Sequence, residues 1–489
     1  MKQLEDIVKD VELVDQAGSL DRQISSLHFD SRKLEPGSLF VAIKGLTVDG
    51  HDYMDQAVEQ GARVIVCEKM PASQADAISY LVVADTAQAL GKMASNFYDN
   101  PSQKLRLIGI TGTNGKTTTA TLLYKLFRQR GLHTGLLSTI ANYINEQQLK
   151  TRFTTPDAIE INKLLSTMVQ QGCEYAFMEV SSHALKQMRT AGLRFHGAMF
   201  TNITHEHLDY HKTFEDYIHS KKLLFDHYLD KSSFALINSD DRRSGIMVQN
   251  TPASIYTFAL KSHADFKARI LEKHIDGTLF TLHRREVWTP LVGRFNVYNL
   301  LGVYAAARLL GYREEELLKD ISKLPPVEGR FETIHSQDKK TAVVDYAHSP
   351  DALENVLATI QEVQKKNQQL ITVVGAGGDR DTAKRPKMAS IALKYSHRVI
   401  LTSDNPRTEK PEDILEDMQK GIDEAQASKV LRITDRKEAI RTACMVAQSN
   451  DIILVAGKGH ETYQEIQGVR HHFDDREVIK EIFNLKNQK

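Results

Sequence analysis

The sequence predicts an α/β protein of several domains, and three observations carry that expectation. At 489 residues the chain is too long for one hydrophobic core and suggests roughly two to four domains. The stretch from Leu105 to Thr119 reads as a buried strand, a glycine loop carrying a lysine, and then a helix. Beyond residue 330, apolar strand patterns alternate with helical ones, and each strand ends in a polar loop.

The strand, loop and helix come first because they carry chemistry. Leu105 to Ile110 is continuously apolar apart from Arg106, which suits a parallel strand buried on both faces. Leu122, Leu123, Leu126 and Phe127 form a helical stripe, and Gly131 can end it. Between them lies Thr111-Gly112-Thr113-Asn114-Gly115-Lys116-Thr117-Thr118. Gly112 and Gly115 let backbone N–H groups approach an anion at the positive end of the helix dipole. Lys116 reaches terminal phosphates in such loops, and the Thr117 hydroxyl ligates Mg²⁺. The common spacing has a glycine where this chain has Ile110. The loop reads as a nucleoside triphosphate site.

Composition narrows the class. Lysine plus arginine equals aspartate plus glutamate, so no global charge marks a nucleic-acid or membrane-surface partner. The opening Met1-Lys2-Gln3-Leu4-Glu5-Asp6 is charged, unlike a signal peptide, and no apolar run nears the roughly 18 residues of a membrane span. Cys67, Cys173 and Cys444 are scattered, as suits a reducing compartment. A cytoplasmic enzyme without membrane insertion is the expectation.

In chain order, Leu39 to Ile43 and Arg63 to Cys67 look like short strands, with helices over Tyr53 to Gln60 and Thr86 to Tyr98. A small α/β unit therefore ends near Asp99-Asn100-Pro101-Ser102. Asp30-Ser31-Arg32 and Asp49-Gly50-His51 read, alone, as ordinary turns. Thr154-Thr155-Pro156-Asp157 can begin a helix. Tyr175 to Val180 reads as a strand delivering Glu179, then Ser181-Ser182-His183, to its carboxyl end, where open α/β sheets bind ligands. A strand from Gly197 to Ile203 runs into Thr204-His205-Glu206-His207-Leu208-Asp209-Tyr210-His211. These histidines lack the spacing of a zinc protease, and His207 reads equally as a metal ligand or a structural hydrogen-bonder. Tyr217 to Phe225 looks helical, and Lys221 and Lys222 read as its solvated edge.

The stretch Leu324-Pro325-Pro326-Val327-Glu328-Gly329-Arg330-Phe331-Glu332 reads as a hinge. After it, four strands lead into loops starting at Asp345, Gly375, Asp404 and Gly457. If the sheet is parallel, these loops pool at one edge. The Gly375 loop has Arg380 where a dinucleotide fingerprint needs its third glycine. Arg380 and Arg407 suit carboxylates, while Glu461 and Asn405 can accept from an ammonium group. Such a site fits an amino acid whose far end is itself zwitterionic.

Four runs taken together resemble the Mur ligase family. They are the Thr-Gly-Thr-Asn-Gly-Lys-Thr-Thr loop, Met178-Glu179-Val180-Ser181-Ser182-His183, His207-Leu208-Asp209-Tyr210-His211, and Gly293-Arg294-Phe295-Asn296-Val297-Tyr298-Asn299. The resemblance covers nearly the whole chain and implies three domains. These are a small UDP-binding α/β domain over 1–103, a P-loop ATPase-like parallel-sheet domain over 104–327, and a Rossmann-like amino-acid domain over 328–489. It implies the branch of the family that adds the third peptide residue to the peptidoglycan precursor, acting as a monomer.

Residue by residue, the resemblance makes Lys221 a carbamylated metal ligand, with Lys222 the alternative one place on. It makes His207 and Glu179 metal ligands beside Thr117, although Glu206 stands where the family usually has aspartate. Ser31, His51, Thr154, Thr155, Ser181, Gln187 and Arg189 become contacts to the UDP-muramoyl-peptide. Asn296, Arg330, Asp345 and His348 join Gly112 to Thr118 around ATP. Asp404-Asn405-Pro406-Arg407 matches the family's selectivity motif in its meso-diaminopimelate form, with Arg380, Gly457 and Glu461 beside it. L-lysine, which lacks the second carboxylate, is the alternative substrate. The implied reaction is ATP-dependent amide bond formation through an acyl phosphate, with Mg²⁺.

Overall fold

Apolar runs bounded by turn residues form the strands, and their burial decides which sheets they build. The computed structural model describes residues 1–45, 48–151, 153–206 and 208–484. Two compact units emerge: Met1–Gly112, Leu123–Thr201 and Glu215–Thr257 form one, and Thr113–Leu122, Asn202–Phe214 and Phe258–Lys489 the other.

In the first unit, an N-terminal sheet runs Asp15–Ala17, Ser79–Val82, Val64–Cys67, Leu39–Val41, Leu27–His28. All but its first pairing are parallel. Helix Thr86–Phe97 starts at Asp85, whose carboxylate accepts from the Gln88 N–H at 2.9 Å. It buries Leu90, Met93 and Ala94 in the same core as Ala158. A Cβ on Gly91 would meet Ala191 Cβ at 2.6 Å, so only glycine permits this approach.

The same unit holds parallel strands in the order Thr134–Leu137, Tyr175–Glu179, Arg106–Thr111, Gly197–Phe200, Phe234–Asn238. Covered on both faces, they are buried almost throughout. Their carboxyl ends share one edge, which brings Gly112, Ser138-Thr139 and Glu179 to the same side. The helix after the loop runs Lys116–Gln129, and Gly131, at φ +77°, turns the chain out of it. There the Leu132 N–H donates to the Phe127 carbonyl at 3.2 Å. Helix Ala158–Gln170 starts at Asp157 as anticipated.

Helix Phe214–His227 departs from the sequence reading. Lys221 and Lys222 are 1 % and 7 % exposed, so the solvated-edge expectation is wrong. Lys222 turns to Asp226 one turn on, at 2.6 Å, and a lysine so paired can be buried.

In the second unit the sheet order is Glu332–His335, Thr341–Asp345, Ile452–Ala456, Leu370–Val374, Arg398–Leu401, Val430–Arg432, parallel after the first pairing. Alternate strand residues enter opposite cores: Val343, Val374, Leu401 and Leu454 on one face, Val344, Val373, Ile400 and Val455 on the other. Parallel pairing puts the loops after Asp345, Val374, Leu401 and Ala456 on one edge. The strand of this sheet that is last in sequence, Ile452–Ala456, lies between the first two parallel ones, which makes a topological switch point there. Antiparallel strands Phe266–His274, Gly277–Leu282 and Arg285–Thr289 precede helix Arg294–Leu309. Among the described residues, no helix is long and apolar enough to cross a membrane.

Candidate active site

The glycine loop is built from amides and hydroxyls. Gly115 sits at φ +89°, and a Cβ there would meet Asn299 Oδ1 at 2.5 Å. Asn202 clamps the loop from the end of its strand: its Oδ1 accepts from the Asn114 N–H and its Nδ2 donates to the Asn114 carbonyl, each at 3.0 Å. The Thr113 N–H donates to the Asn202 carbonyl at 2.8 Å, and Thr113 Oγ1 accepts from the Thr204 N–H at 3.0 Å. Lys116 Nζ folds back to the Thr113 carbonyl at 2.8 Å, while Thr117 and Thr118 are buried.

From the C-terminal part of the same unit, Asp351 accepts from Asn114 Nδ2 and Thr204 Oγ1, both at 3.0 Å. Burial holds its carboxyl above the usual range, and the charge of Glu206 adds to this. Arg330 Nη2 donates to Thr117 Oγ1 at 3.3 Å, with its guanidinium 4.4 Å over the Tyr346 ring. Asp345 is held by the Phe331 and Ala347 N–H groups at 2.7 and 2.8 Å. Burial raises its pKa and Arg330 opposes the rise. His348 Nδ1 donates to the Tyr346 carbonyl at 2.8 Å, which leaves Nε2 as an acceptor. Asn296 Nδ2 donates to the Val292 carbonyl at 2.9 Å, and its Oδ1 accepts from Asn299. The loop, Arg330, Asp345, His348 and the asparagine helix thus belong to one unit.

A second constellation stands in the other unit. Glu179 is fully buried, and its oxygens accept from the Thr139 N–H at 2.7 Å and Thr139 Oγ1 at 3.2 Å. The Thr139 and Thr154 hydroxyls are 3.1 Å apart and share a hydrogen bond in which Thr139 Oγ1, its own proton given to Glu179, accepts. Thr155 Oγ1 donates to the Glu179 carbonyl at 2.8 Å and accepts from the Ser181 N–H at 3.1 Å. Arg189 donates to the Thr155 carbonyl and to Gln187 Oε1. Thr154, Thr155, Glu179, Ser181, Gln187 and Arg189 therefore form one network. In this unit Lys221 Nζ donates to the Gly112 carbonyl at 2.8 Å and lies 4.6 Å from the Tyr217 ring centre. Because Lys222 is committed to Asp226, Lys221 is the lysine that faces the loop.

In the N-terminal sheet, Ser31 is buried and donates to Gln56 Oε1, while His51 bridges Asp49 and the Glu68 N–H. His207 lies outside the described residues.

The third constellation is the C-terminal edge. Arg407, at φ +53°, donates from Nη1 to the Gly378 carbonyl, which ties it to the loop carrying the exposed Arg380. A Cβ on Gly378 would meet the Pro406 carbonyl oxygen at 1.9 Å, and one on Gly457 would meet Asp404 Oδ2 at 2.3 Å. Asn405 Nδ2 donates to Glu461 Oε2 at 2.8 Å. Its Oδ1 accepts from Lys458 Nζ at 2.9 Å and the Glu465 N–H at 3.0 Å. That corrects the expectation that Asn405 accepts from a ligand ammonium: both lone pairs are used inside the protein. Below the edge, Arg436 forks to Asp475 at 2.8 Å and donates to the carbonyls of Ser403 and Ala456.

Sequence reading missed Thr139, Asn202, Asn299, Asp351, Arg436 and Lys458. Thr139 and Asn202 each follow a strand end, a signal that could have drawn attention to them. Asn299 was inside a quoted run. Nothing local marks Arg436 or Asp351.

Three family models match the chain: the Mur ligase family catalytic domain over residues 23–98, the Mur ligase middle domain over 110–307, and the Mur ligase glutamate ligase domain over 329–459. The UDP-N-acetylmuramoyl-L-alanyl-D-glutamate--2,6-diaminopimelate ligase of Phocaeicola vulgatus is 53% identical over 480 residues, covering 98% of this chain and 99% of that one. The Bacillus cereus enzyme of the same name is 45% identical over 468 residues, 94% of each chain. A solved structure of a ligase so named superposes with a TM-score of 0.71 at 34% identity, covering 100% of both chains. The chain belongs to the Mur ligase family. It has that family's three-domain α/β fold, with N-terminal, central and C-terminal domains.

Proposed function

We propose that this chain is an ATP-dependent ligase that adds meso-diaminopimelate to UDP-N-acetylmuramoyl-L-alanyl-D-glutamate in peptidoglycan synthesis. The observation that carries this reading is the pairing of a P-loop with an edge displaying Arg407, Asp404 and Glu461. Relatives of that name match along almost the full chain. The domains divide near residues 103 and 327, and the protein acts in the cytoplasm as a monomer, without nucleic acid.

In the first step the D-glutamate γ-carboxylate attacks the γ-phosphorus of ATP, ADP leaves, and an acyl phosphate forms. The loop N–H groups, Lys116 and Arg330 offset charge on the transferring group. In the second step the diaminopimelate amine attacks the acyl carbon, the amide forms, and phosphate leaves with the amine proton passing to solvent or a base. Asp345, His348 and Asn296 surround the nucleotide. Thr154, Thr155, Ser181, Gln187, Arg189, Ser31 and His51 hold the UDP-muramoyl-peptide. Arg380, Arg407, Asp404, Pro406, Gly457 and Glu461 hold the far end of diaminopimelate, with Asn405 as a donor.

Thr117, Glu179, His207 and a carbamylated Lys221 are the residues that would hold Mg²⁺, which would supply charge neutralisation to the phosphates. Buried Lys221 suits carbamylation, since a carbamate keeps one N–H for the Gly112 carbonyl while presenting oxygens.

Phosphate release with ATP, Mg²⁺ and the UDP-dipeptide tests the reading. Release that depends on meso-diaminopimelate, and is lost in Arg407→Ala, supports it. Release driven by L-lysine instead would overturn the substrate assignment while keeping the chemistry.

A further inference from the structure

Lys458 is the most fully buried cation of the C-terminal edge outside the Arg436–Asp475 pair, with 0 % exposure. An ammonium out of water is tolerated only where acceptors replace its hydration. Three do so here. Nζ donates to Asn405 Oδ1 at 2.9 Å and Glu461 Oε2 at 3.3 Å, and lies 3.7 Å from Asp404 Oδ1. These partners are the acceptors and the amide that face the amino acid.

Two consequences follow from this placement. The first is orientation: with Oδ1 occupied, the Asn405 amide must turn Nδ2 toward Glu461, which fixes both side chains. The second is charge. Burial and the neighbouring Asp404 push the Glu461 carboxyl up, and Lys458 opposes them. Burial also works against Asp404, yet Lys458 and Arg436 hold it below the usual range. Without the lysine charge, two adjacent buried carboxylates would face the ligand, attracting an ammonium and repelling a second carboxylate.

We propose that Lys458 is a specificity-determining positioning residue, whose ammonium locks Asn405 and Glu461 and balances Asp404 so that the edge prefers a zwitterionic far end over a lone ammonium. This rests on the assignment of the edge to diaminopimelate.

The test is kcat/KM for meso-diaminopimelate and for L-lysine in the wild type, Lys458→Met, Lys458→Gln, Lys458→Arg and Arg407→Ala. The diaminopimelate-to-lysine ratio is expected to fall about tenfold or more in Met and Gln and to stay within about threefold in Arg. KM for ATP should stay within about twofold in all of them. A purely structural lysine would lower both amino acids in proportion and leave the ratio alone, which would overturn the proposal. Should Met fail to fold, Gln against Arg decides, because Gln keeps a donor and removes only the charge. A changed ratio in Arg407→Ala with none in Lys458→Gln would sink the lysine proposal alone. An unchanged ratio in Arg407→Ala would sink the site assignment itself.

Discussion

In the glycine loop the Thr113 and Asn114 N–H groups are held by neutral Asn202, while charged Asp351 and Arg330 bond the Asn114 and Thr117 side chains. Beneath the C-terminal edge the partners are charges: Arg436 on Asp475, Lys458 on Asp404 and Glu461, Arg385 on Glu409 and Asp417. The proposed ligands account for the contrast. A polyphosphate needs N–H donors in excess, and a neutral partner on the loop's N–H groups holds them without setting an anion against the backbone. A zwitterionic amino acid needs both signs at close quarters, and those charges must be balanced before the ligand arrives. The comparison predicts that the edge fails by leaving charges unpaired and the loop fails by losing geometry.

The largest effect is expected at Arg436. Arg436→Met leaves Asp475 buried without its partner, which should cost about 4 kcal/mol of stability, read from urea unfolding. The double variant Arg436→Met, Asp475→Leu should recover most of it. No recovery would mean that the contacts to Ser403 and Ala456, and not the ion pair, carry the stability.

Next comes Lys116→Ala. Removing the ammonium that the proposed mechanism sets against the transferred phosphate should lower phosphate release by about 10²–10³-fold, with unfolding unchanged. A loss of stability of the same order would move the loop into the class of the charged edge.

The two regions also differ in how far they could be read in advance. The loop announced itself because glycine, lysine and threonine at fixed spacing have one local meaning, and the strand ends delivered Glu179 and the four C-terminal loops as anticipated. The supports did not. Lys458 follows Gly457 in one of the four C-terminal loops, but its partner Asn405 is 53 residues away, and only the sheet order brings them together. Lys222 looked solvated because a helical lysine beside an apolar pair usually is, and only the fold shows it buried against Asp226. Asn405 had a chemically sound but wrong role, because an amide oxygen gives no sign in sequence of what already occupies it.

The third prediction sharpens the contrast through pH. Burial, with help from Arg330 and Arg476, pushes His460 down to about 3. The unfolded chain therefore takes up a proton below about 6.5 that the folded chain refuses. Stability from this group is intact above that pH and falls as pH drops toward about 3. At pH 5 the loss relative to pH 7.5 should be about 2 kcal/mol, and His460→Gln should flatten that part of the profile. An unchanged profile in the variant would show that other groups set the acid limit.

The smallest effect tests the neutral partner of the loop backbone. Asn202→Ala removes one donor and one acceptor from the backbone of Asn114, both at 3.0 Å, without leaving a charge behind. The expected cost in stability is about 1 kcal/mol, because water can reach part of the emptied space. Its kinetic signature should differ from that of the edge: KM for ATP rises about fivefold while KM for the amino acid and the diaminopimelate-to-lysine ratio hold. Asn202→Asp keeps the acceptor for the Asn114 N–H but places a carboxylate beside the phosphate loop. If neutrality matters as much as geometry, this near-isosteric change should raise KM for ATP more than alanine does, and added salt should narrow the gap. Equal effects would mean that the loop depends on shape alone, and that the neutrality of Asn202 is incidental.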